Sequence, residues 1–211
     1  EGTSPMADSQ SPGTDAPRDG SVQNPQADAG TETTDAQPTD AQPAMQSNEV
    51  RFETSMGVFV VELNSEAAPN TVSNFLSYVD SGFYDGSDGM EPTTFHRIIS
   101  GFMVQGGGIL ANGRRKTTAA PIAHESPNGL NNLRGTIAMA RTNAPDSATS
   151  QFFINLVDND FLDYGSPQEP GYVVFGRVIE GMDVVDEMAA VQTNGQDAPL
   201  STIVIEAAAR R

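Results

Sequence analysis

His96 and His124 are the two imidazoles of the chain, and no cysteine accompanies them. Thiolate metal sites and disulfides are therefore excluded, and two histidines so far apart in sequence read as hydrogen-bonded structural side chains. Neither a metal nor any other cofactor is called for. No Gly-x-Ser-x-Gly elbow presents a nucleophile, so a hydrolase has no visible centre. The run Gln105-Gly106-Gly107-Gly108 lacks both the spaced glycines of a dinucleotide fingerprint and the Lys-Ser/Thr of a P-loop. It reads as a sharp turn or a close approach to another backbone. Arg97 lies among strand-forming residues, where a lone guanidinium is by default a surface cation in an exposed ion pair.

The elements that position these groups follow from periodicity. Val50-Arg51-Phe52-Glu53-Thr54 alternates, and after Ser55-Met56-Gly57 the run Val58 to Leu63 is strand-like, which predicts a β-hairpin. Pro69 then opens a helical spacing of Val72, Phe75, Leu76 and Val79 that Gly82 stops. Further strands are expected over Thr94 to Ile99, Phe102 to Gln105, Thr136 to Ala140, Gln151 to Leu156, Tyr172 to Val178 and Thr202 to Ala207. A second helix is expected from Met182 to Ala190, with Met182, Val185 and Met188 inward. Many strands and only two helices predict an antiparallel sheet closed on itself and capped by the helices, since closure removes exposed edges.

Residues 1–48 contain six prolines, no aromatic residue and one β-branched aliphatic, Val22. The near-repeat Thr34-Asp35-Ala36-Gln37-Pro38 and Thr39-Asp40-Ala41-Gln42-Pro43 adds low complexity. Such a stretch buries too little apolar surface to offset its ordering entropy and is expected to be an acidic tether, with the globular domain over residues 49–211. The formal charge is −17, with ten basic against twenty acidic residues from Glu49 onward. That field repels phosphate, so nucleic acid is not an expected partner. Lys116 is the one lysine among eleven basic residues, an acid-rich balance that looks like adaptation to high salt. No apolar run is long enough to span a bilayer. A tether at a chain that starts with Glu1 is expected of a processed protein, periplasmic or associated with a bacterial cell envelope, and is compatible with a lipid anchor upstream. A monomer is expected.

Three stretches carry a resemblance: Phe95-His96-Arg97-Ile98-Ile99-Ser100-Gly101-Phe102-Met103-Val104-Gln105-Gly106-Gly107, Ser150-Gln151-Phe152-Phe153-Ile154, and Val173-Val174-Phe175-Gly176-Arg177-Val178. In this order and spacing they resemble cyclophilins, peptidyl-prolyl cis/trans isomerases, over about Val50 to Ala207. Ala138-Met139-Ala140-Arg141-Thr142 and Asp146-Ser147-Ala148-Thr149-Ser150 resemble the bacterial branch. The resemblance implies a mainly β fold, a closed eight-stranded antiparallel barrel capped by two α-helices. It implies Arg97 as the catalytic group and Phe102, Met103, Phe153 and Leu162 as a proline pocket. Gln105, Gln151 and the backbone around Ala140 and Arg141 would hold the substrate chain. Phe161 stands where many eukaryotic members have Trp and Tyr172 where they have His, so weak or no cyclosporin binding is expected. Extra residues at Asp85 to Pro92 imply a longer surface loop.

The chemistry implied is amide rotation in proline-containing, unfolded or extended polypeptides. A peptide bond resists rotation by about 18–20 kcal/mol because the nitrogen lone pair is delocalised. A fixed guanidinium beside a nitrogen that regains its lone pair favours the twisted state. Strand alternation supports the assignment: Gln151 and Phe153 share a face, as do Met103 and Gln105, while Phe152 points inward. Two rivals stand beside it. One is a Pro-binding or chaperone module on the same fold without turnover, against which the presence of Arg97, Gln105 and Phe153 argues. The other is a scaffold whose acidic tether recruits basic partners, which deletion of residues 1–48 separates from an enzyme.

Overall fold

Alternation sets the first hairpin. In Glu49–Thr54 (β1) Val50, Phe52 and Thr54 are buried, and in Gly57–Leu63 (β2) Phe59, Val61 and Leu63 turn to the same side, because successive strand side chains point to opposite faces. Thr54 Oγ1 ties the turn, donating to the Gly57 carbonyl at 2.8 Å and accepting from the Met56 amide at 3.2 Å. The computed structural model describes residues 48–211. The tether expected over residues 1–48 lies, Asn48 apart, outside the described residues.

Pro69–Asp80 (α1) has proline in its first turn, where a missing N–H is no loss. Its N-cap, Ala68, has no side chain to accept the free amides. Glu125 does so from far along the chain: Oε1 accepts from the Asn70 amide at 2.9 Å, and Oε2 accepts from the Thr71 amide at 2.7 Å and the Thr71 hydroxyl at 2.6 Å. The buried stripe includes Val72, Phe75, Leu76 and Val79.

Six strands follow: Thr93–Ile99 (β3), Met103–Leu110 (β4), Thr136–Met139 (β5), Phe152–Asn155 (β6), Val174–Glu180 (β7) and Ile203–Arg210 (β8). The second helix, Met182–Ala189 (α2), lies between β7 and β8 and buries Val185 and Met188 fully, while Met182 is half-buried. Neighbouring strands are antiparallel, and the order β1-β2-β7-β5-β6-β4-β3-β8 closes on itself. The eight-stranded barrel with two helices is the architecture the sequence resemblance implied.

Aromatic rings fill the barrel. Phe52, Phe59, Phe95, Phe152 and Phe175 meet Phe75 of α1 and Tyr84, all fully buried. Ring centroids are 5.0 Å apart for Phe52–Phe59 and for Phe75–Phe175, contacts that contribute about 0.5–1.5 kcal/mol each beyond burial itself. Tyr84 keeps its hydroxyl satisfied by donating to the Ser150 carbonyl at 2.8 Å.

β7 and β8 run two and three residues past their expected ends, to Glu180 and Arg210, and β4 departs furthest from expectation. β4 does not stop at Gln105 but runs through the three glycines to Leu110. Thr94 pairs with Ile109 and Phe95 with Gly106, so Gly107 and Gly108 bulge out of the ladder. Gly107 has φ +83°, and a Cβ there would lie 2.8 Å from the Phe152 ring. A Cβ on Gly108 would lie 2.4 Å from the Gln151 side chain. The close approach is thus to side chains packed over the bulge.

Candidate active site

Directly opposed residues in antiparallel strands project to the same face, and the register here lines up a row on the outside of the barrel. Arg97 of β3 pairs with Gln105 of β4, Gln105 with Phe153 of β6, Phe153 with Ala138 of β5, and Ala138 with Val174 of β7. The row runs from an exposed cation through an amide to an apolar floor. Met103, Ala138, Phe153, Leu162 and Val174 form a second apolar cluster, separate from the barrel core, with Ile99, Phe102, Leu130, Ala140 and Tyr172 packed against it. Phe152, one residue from Phe153, points into the barrel, as alternation predicted.

A groove of about 400 Å³ opens over this row. Ten of the eleven residues singled out from the sequence line it: Arg97, Phe102, Met103, Gln105, Ala140, Arg141, Gln151, Phe153, Leu162 and Tyr172. The eleventh, Phe161, stands apart, 74% exposed and stacked on Phe102 with ring centroids 5.6 Å apart. It lines an adjoining hollow that shares Arg141 and Tyr172 with the groove.

A second bulge aims the polar wall. Phe95 pairs with Gly106 and Arg97 with Gln105, so two steps along β3 match one step along β4 and His96 is the extra residue. His96 and Arg97 consequently both reach the groove. His96 Nδ1 lies 3.4 Å from the Thr94 carbonyl. Burial holds its imidazole below the ordinary histidine range, helped by the neighbouring Arg115 and Arg97 charges and opposed by hydrogen bonds with Thr94 and Gln151. Arg97 is held by Asp197, Nε to Oδ2 at 3.5 Å, with both side chains partly exposed. Asp197 sits in the left-handed region at φ 61°, and its carbonyl accepts from the Ile98 amide at 2.8 Å. That bond fixes the carboxylate to the strand that carries Arg97.

Gln105 Nε2 donates to Gln151 Oε1 at 2.9 Å, so the two amides form one polar shelf beside the apolar floor. The Ala140 amide donates to the Gln151 carbonyl at 2.9 Å. Tyr172 is gripped from two sides, edge-on to Phe153 at 5.6 Å and under the Arg141 guanidinium at 4.5 Å. Behind the floor, buried amides hold the segments that carry Phe102 and Leu162. Asn159 Nδ2 donates to the Phe102 carbonyl at 3.1 Å and to Asn155 Oδ1 at 2.7 Å, and Asn132 Nδ2 donates to the Leu162 carbonyl at 3.1 Å.

The family model for cyclophilin type peptidyl-prolyl cis-trans isomerases matches residues 49–210, the whole barrel. This chain belongs to the cyclophilins. It is 50% identical over 169 residues to peptidyl-prolyl cis-trans isomerase A of Dickeya dadantii, covering 78% of this chain and 85% of the relative. It is 50% identical over 163 residues to peptidyl-prolyl cis-trans isomerase B of Escherichia coli, covering 74% and 96%. Among solved structures, a cyclophilin type isomerase of Cryptosporidium parvum superposes with a TM-score of 0.64 at 27% identity, over 78% of this chain and 98% of that one. A second structure of that enzyme was determined in the presence of the dipeptide Ala-Pro, with a TM-score of 0.63.

Sequence reasoning left three residues of this cyclophilin's groove unassigned: His96, Ile109 and Arg115. His96 reads from the sequence as a structural side chain, because the two histidines lie far apart and no cysteine joins them; the bulge brings it to the groove beside Arg97. Arg115 reaches the groove because its segment folds back to bridge Ile109, a pairing that no local pattern announces.

Proposed function

We propose that the groove takes an extended X-Pro segment with its pyrrolidine ring on Phe102, Met103, Phe153 and Leu162, and that Arg97 stabilises the twisted amide. The chain is a peptidyl-prolyl cis-trans isomerase, the activity of its family and of the relatives it matches. The observation that supports these roles is the single row that sets the Arg97 cation beside an apolar floor across one shelf of amides. Rotation needs no covalent intermediate. At the midpoint the nitrogen regains an acceptor lone pair, which a guanidinium meets and which neither planar isomer offers. One charge-assisted hydrogen bond supplies about 1.5–3 kcal/mol, and the fixed position of the ring and the dry floor supply more.

Gln105, Gln151 and the backbone at Ala140 and Arg141 hold the substrate chain, and Tyr172 and Phe161 flank it. Phe161 offers no indole N–H, which supports weak cyclosporin binding. The composition of residues 1–48 supports a place in the periplasm or cell envelope, with unfolded Pro-containing chains as clients. Binding without turnover is not favoured by the comparisons. The test is NMR exchange on an Ala-Pro peptide: catalytic amounts of the protein should speed cis/trans exchange without shifting the isomer ratio. A shifted ratio without faster exchange would make the groove a binding site alone.

A further inference from the structure

The described part of the chain sets ten cationic side chains against twenty carboxylates. Seven of the cations, Arg97 among them, lie within 4 Å of a carboxylate. Arg114, Arg115 and Arg141 have no such partner among the described residues, and two of these three line the groove. Arg97, Arg115 and Arg141 face it, and no Asp or Glu lines it. Asp197 balances Arg97, so the groove holds an excess of two positive charges on an otherwise acidic surface. His96 beside them is kept neutral by burial near neutral pH.

Both unbalanced cations are positioned. Arg141 lies on the Tyr172 ring at 4.5 Å and donates from Nε to the Gly171 carbonyl and from Nη1 to the Thr142 carbonyl, each at 2.9 Å. Carbonyl dipoles and a ring face orient its guanidinium without cancelling its unit charge. Arg115 is anchored by its backbone bridge to Ile109. The acidic surface repels anions at long range, but at physiological salt the screening length is about 8 Å. A peptide already in the groove therefore feels the guanidiniums that line it more than the carboxylates outside it, of which Asp160, Asp163 and Glu169 line the adjoining hollow that shares Arg141.

We infer that this isomerase prefers proline segments flanked by Asp or Glu, with Arg115 and Arg141 reading the flanking carboxylates. The preference rests on the groove being the X-Pro site. It is local, so it appears in kcat/KM for short peptides and weakens in 1 M salt, where charges are screened beyond about 3 Å.

The experiment compares three peptides sharing an Ala-Pro core and carrying Glu, Gln or Lys on both sides, by NMR exchange in physiological and in 1 M salt. The expected order is Glu above Gln above Lys, with Glu ahead of Lys by about three- to fivefold, the scale of an exposed ion pair, and with the gap closing in high salt. Arg115→Glu should shrink or reverse the order, and Arg141→Gln should shrink it. Equal rates on all three peptides, or Lys ahead, would overturn the preference and leave the isomerase reading intact. Unchanged ratios in both variants would overturn the assignment to these arginines. No turnover even on the Gln peptide would instead overturn the reading of the groove.

Discussion

Of the two polar side chains that β3 sends into the groove, Arg97 and His96, His96 carries the pH dependence. Burial is the main reason its folded pKa lies below the ordinary 6.5, so below about that pH the unfolded chain binds more protons than the folded one and stability falls as pH falls. Urea unfolding followed from about pH 8 down to about pH 5 should show this loss, and His96→Gln should flatten it; an unchanged pH slope in that variant would contradict the assignment. At this scale the sequence motifs were legible enough to name ten residues of the groove. They missed His96 because a bulge is a property of two paired strands, and one strand's pattern cannot show it.

The elements themselves were mostly readable: the first hairpin, α1 with its proline start, and α2 all lie where periodicity puts them. What joins them was not. The α1 cap comes from Glu125, 55 residues from Asn70, and no local signal announces it. The loop at Asp85 to Pro92, read as a surface excursion, is pinned from beneath by Lys116, whose side chain is wholly buried. Its Nζ donates to the Phe83 carbonyl at 2.7 Å, to Asp88 at 2.9 Å and to the Glu91 carbonyl at 3.1 Å, and lies 4.8 Å from the Phe83 ring centroid. Lys116→Met would strand a carboxylate and two carbonyls. The expected cost is about 3–5 kcal/mol, toward the lower end because Asp88 keeps some contact with water. Chemical denaturation measures it, and a loss below about 1 kcal/mol, the usual worth of a surface pair, would mean the loop is not held this way.

For the molecule as a whole, ion pairs are a minor source of stability. Those between Arg177 and Glu62 and between Arg134 and Asp186 join side chains that are roughly half exposed, where each pair contributes at most about 1 kcal/mol. Stability comes from the aromatic barrel core, and the charge surplus, twenty acids over ten bases from Glu49 onward and 28 over 11 in the full chain, opposes it by self-repulsion. Salt screens that repulsion, so the melting temperature should rise into molar KCl; a melting temperature indifferent to salt would remove the case for adaptation to high salt. The closed barrel was legible as a fold class from strand count and motif order. Its strand order was not, because β7 and β5 insert between β2 and β6 through contacts far apart in sequence.

The most direct test is NMR exchange on an Ala-Pro peptide with wild type and Arg97→Ala side by side, with circular dichroism to confirm that both are folded. Removing one charge-assisted bond worth about 1.5–3 kcal/mol predicts a fall in kcat/KM of about 10- to 150-fold with the fold kept. A folded Arg97→Ala protein that turns over peptide at nearly the wild-type rate would contradict the account.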